Sequence, residues 1–205
     1  MASRPLLVLL VRHAESQANA LGRFAFRTWD PGLTPRGWEQ ARQLAGQLAG
    51  VPIARLVSSP LRRARETLEP LAEARGLTIE DWPEFAELDM GLWDGLVRRE
   101  IAEQQPEAWR AWRQDPEANP PPAGERISGV GARVMQGLNR LRPGGGLVVA
   151  ATHADCVKAA VLQVLGAPGP AARRLYVPNT GQVLLRALDN GLWNVVLMPL
   201  GLAGI

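Results

Sequence analysis

Two short stretches constrain this chain more than anything else in it. Residues 7–13, LVLLVRH, and 147–153, LVVAATH, are apolar runs that each stop at a histidine, and the chain has only two histidines. Such a run, bounded by polar residues, reads as a strand buried on both faces, as in a parallel sheet covered by helices. Parallel strands end at a shared crevice along their carboxyl edge. His13 and His153, 140 residues apart, can therefore meet in one site.

The intervening segments supply the helices. Thr34 can cap a helix that starts at Pro35, with Trp38, Ala41, Leu44, Ala45 and Leu48 sharing one face. ARLVSSPLRRARETLEPLA repeats the pattern: a strand near 55–58, a polar turn, and a helix opening at Ser59-Pro60. Residues 92–122 break the rhythm, because helical pieces bearing Trp93, Trp109 and Trp112 run into DPEANPPPAGE, whose prolines stop a helix. A lid-like helical excursion is expected there. A helix over 125–142 resumes the core with Ile127, Val130, Val134, Leu138 and Leu141 on one stripe. The second histidine strand follows, then a helix closing at Gly166. Segments 182–188 and 193–198, joined by DNG, predict a hairpin. Strands alternating with helices predict one α/β domain over residues 1–205, a three-layer α/β/α sandwich with a mainly parallel central sheet and the hairpin at one edge.

With 205 residues, 46% of them hydrophobic, the chain can bury one sizeable core. Lys158 is the only lysine, so a pI of 9.9 at a formal net charge of only +3 reflects the pKa of arginine more than a basic surface. Arginines interspersed with acids do not form a nucleic-acid-binding stripe, and no nucleic-acid partner is expected. Their planar forks do suit phosphate or carboxylate. A lone cysteine, Cys156, allows no intramolecular disulfide or multi-cysteine zinc site and fits a reducing compartment, with the cytoplasm as the default. The N-terminal MASRPLLVLLV resembles a signal peptide only superficially: Arg12, His13 and Glu15 interrupt it and no A-x-A-like site follows. No stretch approaches the ~20 apolar residues of a membrane helix, so no membrane partner is expected.

A neutral imidazole with its second nitrogen tied by a hydrogen bond is a competent nucleophile. Beside Arg12 its natural electrophile is anionic. Phosphoryl transfer spreads charge over three equatorial oxygens, which a histidine ringed by arginines accommodates. SSPLRRARET brings further arginines to the mouth of the second strand–helix unit. The leaving alkoxide needs a proton and the attacking water must lose one, so one carboxyl group can serve both steps. FAELDMGLWDG offers Glu87, Asp89 and Asp94 for that part. Asn19 on its own reads as a turn or cap residue. Cys156 lacks the arginine six residues on that a cysteine phosphatase loop needs, and no G-x-S-x-G elbow or P-loop is present. The histidines with Asp155 show no recurrent metal-ligand spacing; no metal or cofactor is expected, and activity should survive a chelator.

Five segments in order, VRHAESQAN, LTPRGWEQA, SSPLRRARET, FAELDMGLWDG and THAD, resemble the motifs of the histidine phosphatase superfamily, the phosphoglycerate mutase-like proteins. The resemblance spans most of the chain. It implies a metal-independent histidine acid-type phosphatase that hydrolyses a small-molecule phosphate monoester through a phosphohistidine on His13. It further implies that Arg12, Asn19 and Arg63 bind the phosphate, that His153 contacts the phosphoryl group, and that Glu87 is the general acid and base. Arg62 becomes an exposed neighbour. Ala14 and Ala154 stand where the family usually carries glycine. Residues 21–32 do not align clearly, leaving both Arg23 and Arg27 open as substrate contacts. Arg98, Arg99, Arg110 and Arg113, interleaved with Trp109 and Trp112, read as solvated arginines outside a core-packed tryptophan face; the alternative is a grip on the non-phosphate half of a substrate.

Two other functions compete. A phosphoglycerate mutase-type phosphomutase would use the same site, but the bisphosphoglycerate-dependent mutases of the family are usually longer than this chain. A non-catalytic phospholigand-binding module would not require Glu87 alongside His13, Arg63 and His153.

Overall fold

The computed structural model describes residues 5–197. Residues 1–4, the start of the signal-like stretch, and Met198, the expected end of the last strand, lie outside the described residues. In chain order the elements are β1 Leu6–Arg12, α1 Gln17–Ala20, α2 Pro35–Gln47, β2 Ile53–Ser58, α3 Arg62–Arg75, β3 Ile79–Asp81, α4 Arg98–Gln104, α5 Pro106–Gln114, α6 Ile127–Leu141, β4 Gly146–Thr152, α7 Ala154–Leu165, β5 Gln182–Ala187 and β6 Trp193–Val196.

The six strands form one sheet in the order β3-β2-β4-β1-β5-β6. β3, β2, β4 and β1 are parallel, whereas β5 runs antiparallel to β1 and carries β6 as the closing hairpin. Alternation along each central strand explains the uninterrupted apolar runs. Leu9, Val11, Val149 and Ala151 join Leu44 of α2, Leu48 just after it, and Leu68 and Leu71 of α3 in one cluster. Val8, Leu10, Val148 and Ala150 join Val130, Val134, Leu138 and Val157 of α6 and α7 in the other. Each fully buried aliphatic side chain contributes about 1.5–3 kcal/mol, so β1 and β4, buried on both faces, are the most firmly held parts of the sheet. The α/β/α sandwich with a mainly parallel sheet is thus the fold, and no described helix is long and apolar enough to cross a membrane.

Local chemistry accounts for the helix ends. Thr34 accepts the Gly37 N–H at the start of α2, with Pro35 in its first turn, and α7 stops at Gly166 in the left-handed conformation. One expectation is corrected: α3 starts at Arg62, not at Ser59-Pro60. Ser59 still belongs to the sheet edge, its N–H donating to the Ala151 carbonyl at 2.8 Å, so the chain must turn through Pro60 and Leu61 before it can coil. Two elements carried too little pattern to be read: the three-residue edge strand β3 and the four-residue α1.

The excursion consists of α4 and α5, followed by the proline-rich turn. Trp93 is fully buried and Trp112 nearly so, both within the cluster that packs on the sheet, and Trp109 meets each at ring centroid distances of 5.9 and 5.1 Å. The segment is therefore clamped to the core by its indoles.

Candidate active site

The in-register pairing of β1 with β4 ends at Arg12 opposite Thr152, and one residue further each strand presents its histidine. The His13 N–H continues the ladder to the Thr152 carbonyl at 2.8 Å. The two rings end 5.1 Å apart, centroid to centroid, with planes at 60°. Both side chains are enclosed.

The Nδ1 of His13 lies 2.7 Å from the Ala14 carbonyl oxygen. A carbonyl only accepts, so Nδ1 carries the hydrogen and Nε2 keeps the lone pair. Burial, reinforced by the charges of Arg63 and Arg12, holds the His13 pKa well below its ordinary value, and the ring is neutral. Arg63 Nε donates toward Nε2 at 3.3 Å. Arg63 is itself buried, with Nη2 bound to the Ala25 carbonyl at 2.9 Å and Nη1 3.5 Å from Asp30. Its neighbour Arg62 points away, 65% exposed and paired with Glu66. Arg12 is anchored through Nη1 to the Val177 carbonyl at 2.8 Å, while its buried Nε has no protein partner.

Asn19 occupies two parts at once. Its backbone N–H bonds the Ser16 hydroxyl and its Oδ1 accepts the Ser16 N–H at 3.1 Å, a reciprocal cap on α1. Oδ1 also accepts from Asn179 Nδ2 at 3.1 Å, which fixes the amide orientation and leaves the Asn19 N–H groups as its free donors.

Of the three carboxyls in FAELDMGLWDG, only Glu87 lines the cavity, together with His13; His153 lies behind that lining, fully buried. Its Oε1 accepts the Leu88 N–H at 2.9 Å and its Oε2 lies 3.5 Å from His153 Nδ1. Burial and the nearby Asp155 raise the Glu87 pKa above the usual carboxyl range, against the pull of Arg63, the Leu88 N–H and Arg12. Asp89 pairs with Arg27 at 2.7 Å, and Asp94 accepts the backbone N–H groups of Arg27 and Thr28. Both hold loops. His153 bonds the Ser59 hydroxyl through Nε2 at 2.8 Å, and burial followed by the Arg63 and His13 interactions keeps its pKa well below the ordinary value.

The cavity above these groups has a volume of about 350 Å³. Arg23 lines it and Arg27 does not. Trp109, Trp112, Arg98 and Arg113 line it as well, so the excursion serves both the core and the cavity wall; Arg99, paired with Glu103, and Arg110, bonded to the Pro106 carbonyl, stand outside. Ligand-capable atoms of His13, Glu87 and His153 lie within 4.8 Å of one another, without Asp155. Arg63 against the free nitrogen of His13 and Arg12 nearby disfavour a cation and favour an anion at that point.

Three supporting residues escaped the sequence reading of function. Ser59 orients His153, and Thr67 accepts the Ala14 N–H at 2.9 Å while donating to the Arg63 carbonyl at 2.7 Å, tying the loop after His13 to α3. Both sit in the arginine-rich segment, where a hydroxyl four residues to either side of Arg63 gave the only hint. Asn179 donates to both the His13 carbonyl and Asn19, from a loop that carried no signal.

The chain is 35% identical over 161 residues to phosphoserine phosphatase 1 of Hydrogenobacter thermophilus, covering 78% of this chain and 76% of that protein. It is 33% identical over 177 residues to a probable phosphoglycerate mutase, GpmB, of Serratia proteamaculans, covering 85% and 81%. The structure of a mycobacterial glucosyl-3-phosphoglycerate phosphatase complexed with VO3 superposes with a TM-score of 0.84 at 26% identity, covering 94% of this chain and 98% of that one. The chain spans about half the length, 48%, of the mycobacterial curated relatives it matches at 36% identity. The model of the histidine phosphatase superfamily (branch 1) matches residues 8–199, and the chain belongs to that superfamily.

Proposed function

We propose that the protein hydrolyses small-molecule phosphate monoesters without a metal or cofactor, through a phosphohistidine on His13. The observation that carries this reading is the Nε2 of His13: a neutral ring with Nδ1 tied down, presenting its lone pair beside Arg63 and near Glu87, whose carboxyl pKa burial raises. Arg12, Arg63 and the free donors of Asn19 hold the phosphoryl oxygens. The Nε2 lone pair attacks phosphorus as the ester P–O bond breaks, and Glu87 delivers its proton to the leaving oxygen. His153, with Nδ1 toward Glu87, helps disperse the charge on the phosphoryl oxygens. In the second half Glu87 takes a proton from water, whose oxygen attacks phosphorus; the P–N bond breaks, phosphate leaves and His13 is neutral again. The phosphatases among the relatives support hydrolysis, and the probable mutase supports transfer to a substrate by the same site as the second reading.

The test is rapid quenching with a radiolabelled phosphate ester. An acid-labile, base-stable phosphoprotein is expected in the wild type and none in His13→Ala, with turnover abolished. A His13→Ala protein that still releases phosphate would overturn the reading. So would mutase turnover, primed with 2,3-bisphosphoglycerate, without net phosphate release.

A further inference from the structure

Glu87 is placed by its backbone more than by its side chain. Among the described residues its carboxyl has two polar partners, the Leu88 N–H at 2.9 Å and His153 Nδ1 at 3.5 Å. The segment that carries it has little regular structure, a single 3-10 turn at Pro83–Phe85 followed by an extended Ala86. Such a segment keeps its place only if its main-chain groups find partners elsewhere in the fold.

Most of those partners come from one side chain on α6. The guanidinium of Arg133 has five N–H groups, and all five are engaged. Nη1 donates to the carbonyls of Glu84 at 2.9 Å and Ala86 at 2.6 Å, and Nη2 to that of Glu87 at 3.0 Å. Nε and Nη2 donate in parallel to the two carboxylate oxygens of Glu125, each at 2.9 Å. Glu125 reaches the same segment, its own N–H donating to the Asp89 carbonyl at 2.9 Å. The Thr152 hydroxyl donates to the Phe85 carbonyl at 2.7 Å and the Cys156 thiol to the Ala86 carbonyl at 2.9 Å. The carbonyls of four consecutive residues, 84–87, are thus tied to α6, β4 and α7, three of them by one planar fork. α6 comes this close because the residue one turn after Arg133 is Gly137, where a Cβ would lie 3.0 Å from the Glu84 Cβ and 3.2 Å from the Phe85 ring. The side chains of Arg133 and Glu125 are only 22% and 24% exposed, so these charged hydrogen bonds are stronger than they would be in water.

We propose that Arg133, oriented by Glu125, is the positioning residue for the general acid: it fixes the backbone of residues 84–87 so that the Glu87 carboxyl meets the leaving oxygen. The inference rests on the part given to Glu87 in the phosphatase reading. Arg133 is not among the residues that line the cavity, and it acts through Glu87. Only a flat fork serves three carbonyls and a carboxylate at once; an ammonium has three donors and no plane.

Two esters of similar size test it. Benzyl phosphate needs its leaving oxygen protonated and p-nitrophenyl phosphate does not, and kcat/KM reports the steps up to phosphohistidine for both. Arg133→Lys should lower kcat/KM for benzyl phosphate by about tenfold to 10²-fold, the cost of a reacting group misplaced by about 1 Å or less, and for p-nitrophenyl phosphate by less than about threefold. Loss of folded enzyme would reduce both esters alike, so the ratio separates positioning from a merely structural part, and an unchanged ratio overturns the inference. Glu125→Gln keeps Arg133 but breaks the parallel pair; it should shift the ratio the same way by about threefold, and it decides alone if Arg133→Lys fails to fold. In a Glu87→Gln background, Arg133→Lys should change the ratio by less than about twofold, because the acid that it positions is gone. A second full loss there would show that Arg133 acts independently of Glu87 and would overturn the inference. Glu87→Gln alone is read in parallel. If it lowers the ratio while Arg133→Lys does not, only this inference sinks, whereas a wild-type ratio in Glu87→Gln sinks the acid assignment beneath it.

Discussion

At Arg63 a guanidinium is enclosed by protein and 3.3 Å from the His13 nucleophile candidate; one position back, Arg62 is 65% exposed on an ion pair with Glu66. Solvent screens the charge of Arg62, whereas a charged donor at the developing phosphoryl charge is worth about 3–4 kcal/mol. Arg63→Ala should therefore lower kcat/KM by about 10²-fold or more, and Arg62→Ala by less than about threefold. Equal losses in steady-state assays would refute the assignment. In the proposed mechanism Glu87 sets the upper limit of the pH dependence. As a general acid it must be protonated, and its raised pKa keeps it so to higher pH than an ordinary carboxyl group. His13 must be neutral, and its depressed pKa keeps it so to lower pH. Activity is thus retained below the usual histidine pKa and lost as rising pH deprotonates Glu87. Glu87→Gln should cost alkyl phosphates about 10²–10⁴-fold in kcat and p-nitrophenyl phosphate, whose leaving group needs no acid, far less. A loss independent of the leaving group would remove Glu87 from this part. Glu87 was separable from Asp89 and Asp94 in the sequence only through family resemblance; by chemistry alone the three carboxyls were equivalent. What separates them is loop geometry that turns the aspartates onto backbone N–H groups.

Among the elements, α2 shows how a helix is docked to keep the His13 loop in place. A Cβ on Gly37 would collide with the carbonyl oxygen of Glu15, two residues beyond His13, so the first turn of α2 approaches that loop as closely as backbone allows. Gly→Ala within a helix normally gains ~1 kcal/mol, but a clash against backbone costs ~1–3 kcal/mol and prevails here. Gly37→Ala should lower Tm by roughly 2–4 °C per kcal/mol lost and reduce turnover with it, as thermal unfolding and assays will show. Unchanged stability would mean that the loop yields freely. The helices with long stripes or clear caps, α2, α6 and α7, were legible because a cap or a periodic face is a local property. The start of α3 was not, since Ser59 is held by β4 and His153, which are remote in sequence. Likewise the choice between Arg23 and Arg27 depends on where residues 21–32 lie over the sheet, which no local pattern records.

For the whole molecule, the carboxyl edge of the parallel strands gathers Arg12, His13, Ser59 and His153, while α4, α5 and the loop before β5 close the cavity over Arg12 and His13. The proposed mechanism uses no metal ion. Phosphate release is expected to be unaffected by prior dialysis against a chelator, and a strict requirement for an added divalent cation would contradict the mechanism. The sequence by itself determined the layered α/β architecture and the strand ends that carry the histidines, because burial on both faces of a sheet writes an uninterrupted apolar run. It also marked His13, Arg63 and Glu87 through ordered motifs. Only the tertiary structure decided which arginines face the cavity, that Asn179 fixes the amide of Asn19, and that Arg133 binds the carbonyls of the segment bearing Glu87. Those contacts join residues up to 160 positions apart, and such pairings arise from how packed layers meet rather than from any preference of the chain segments that supply them.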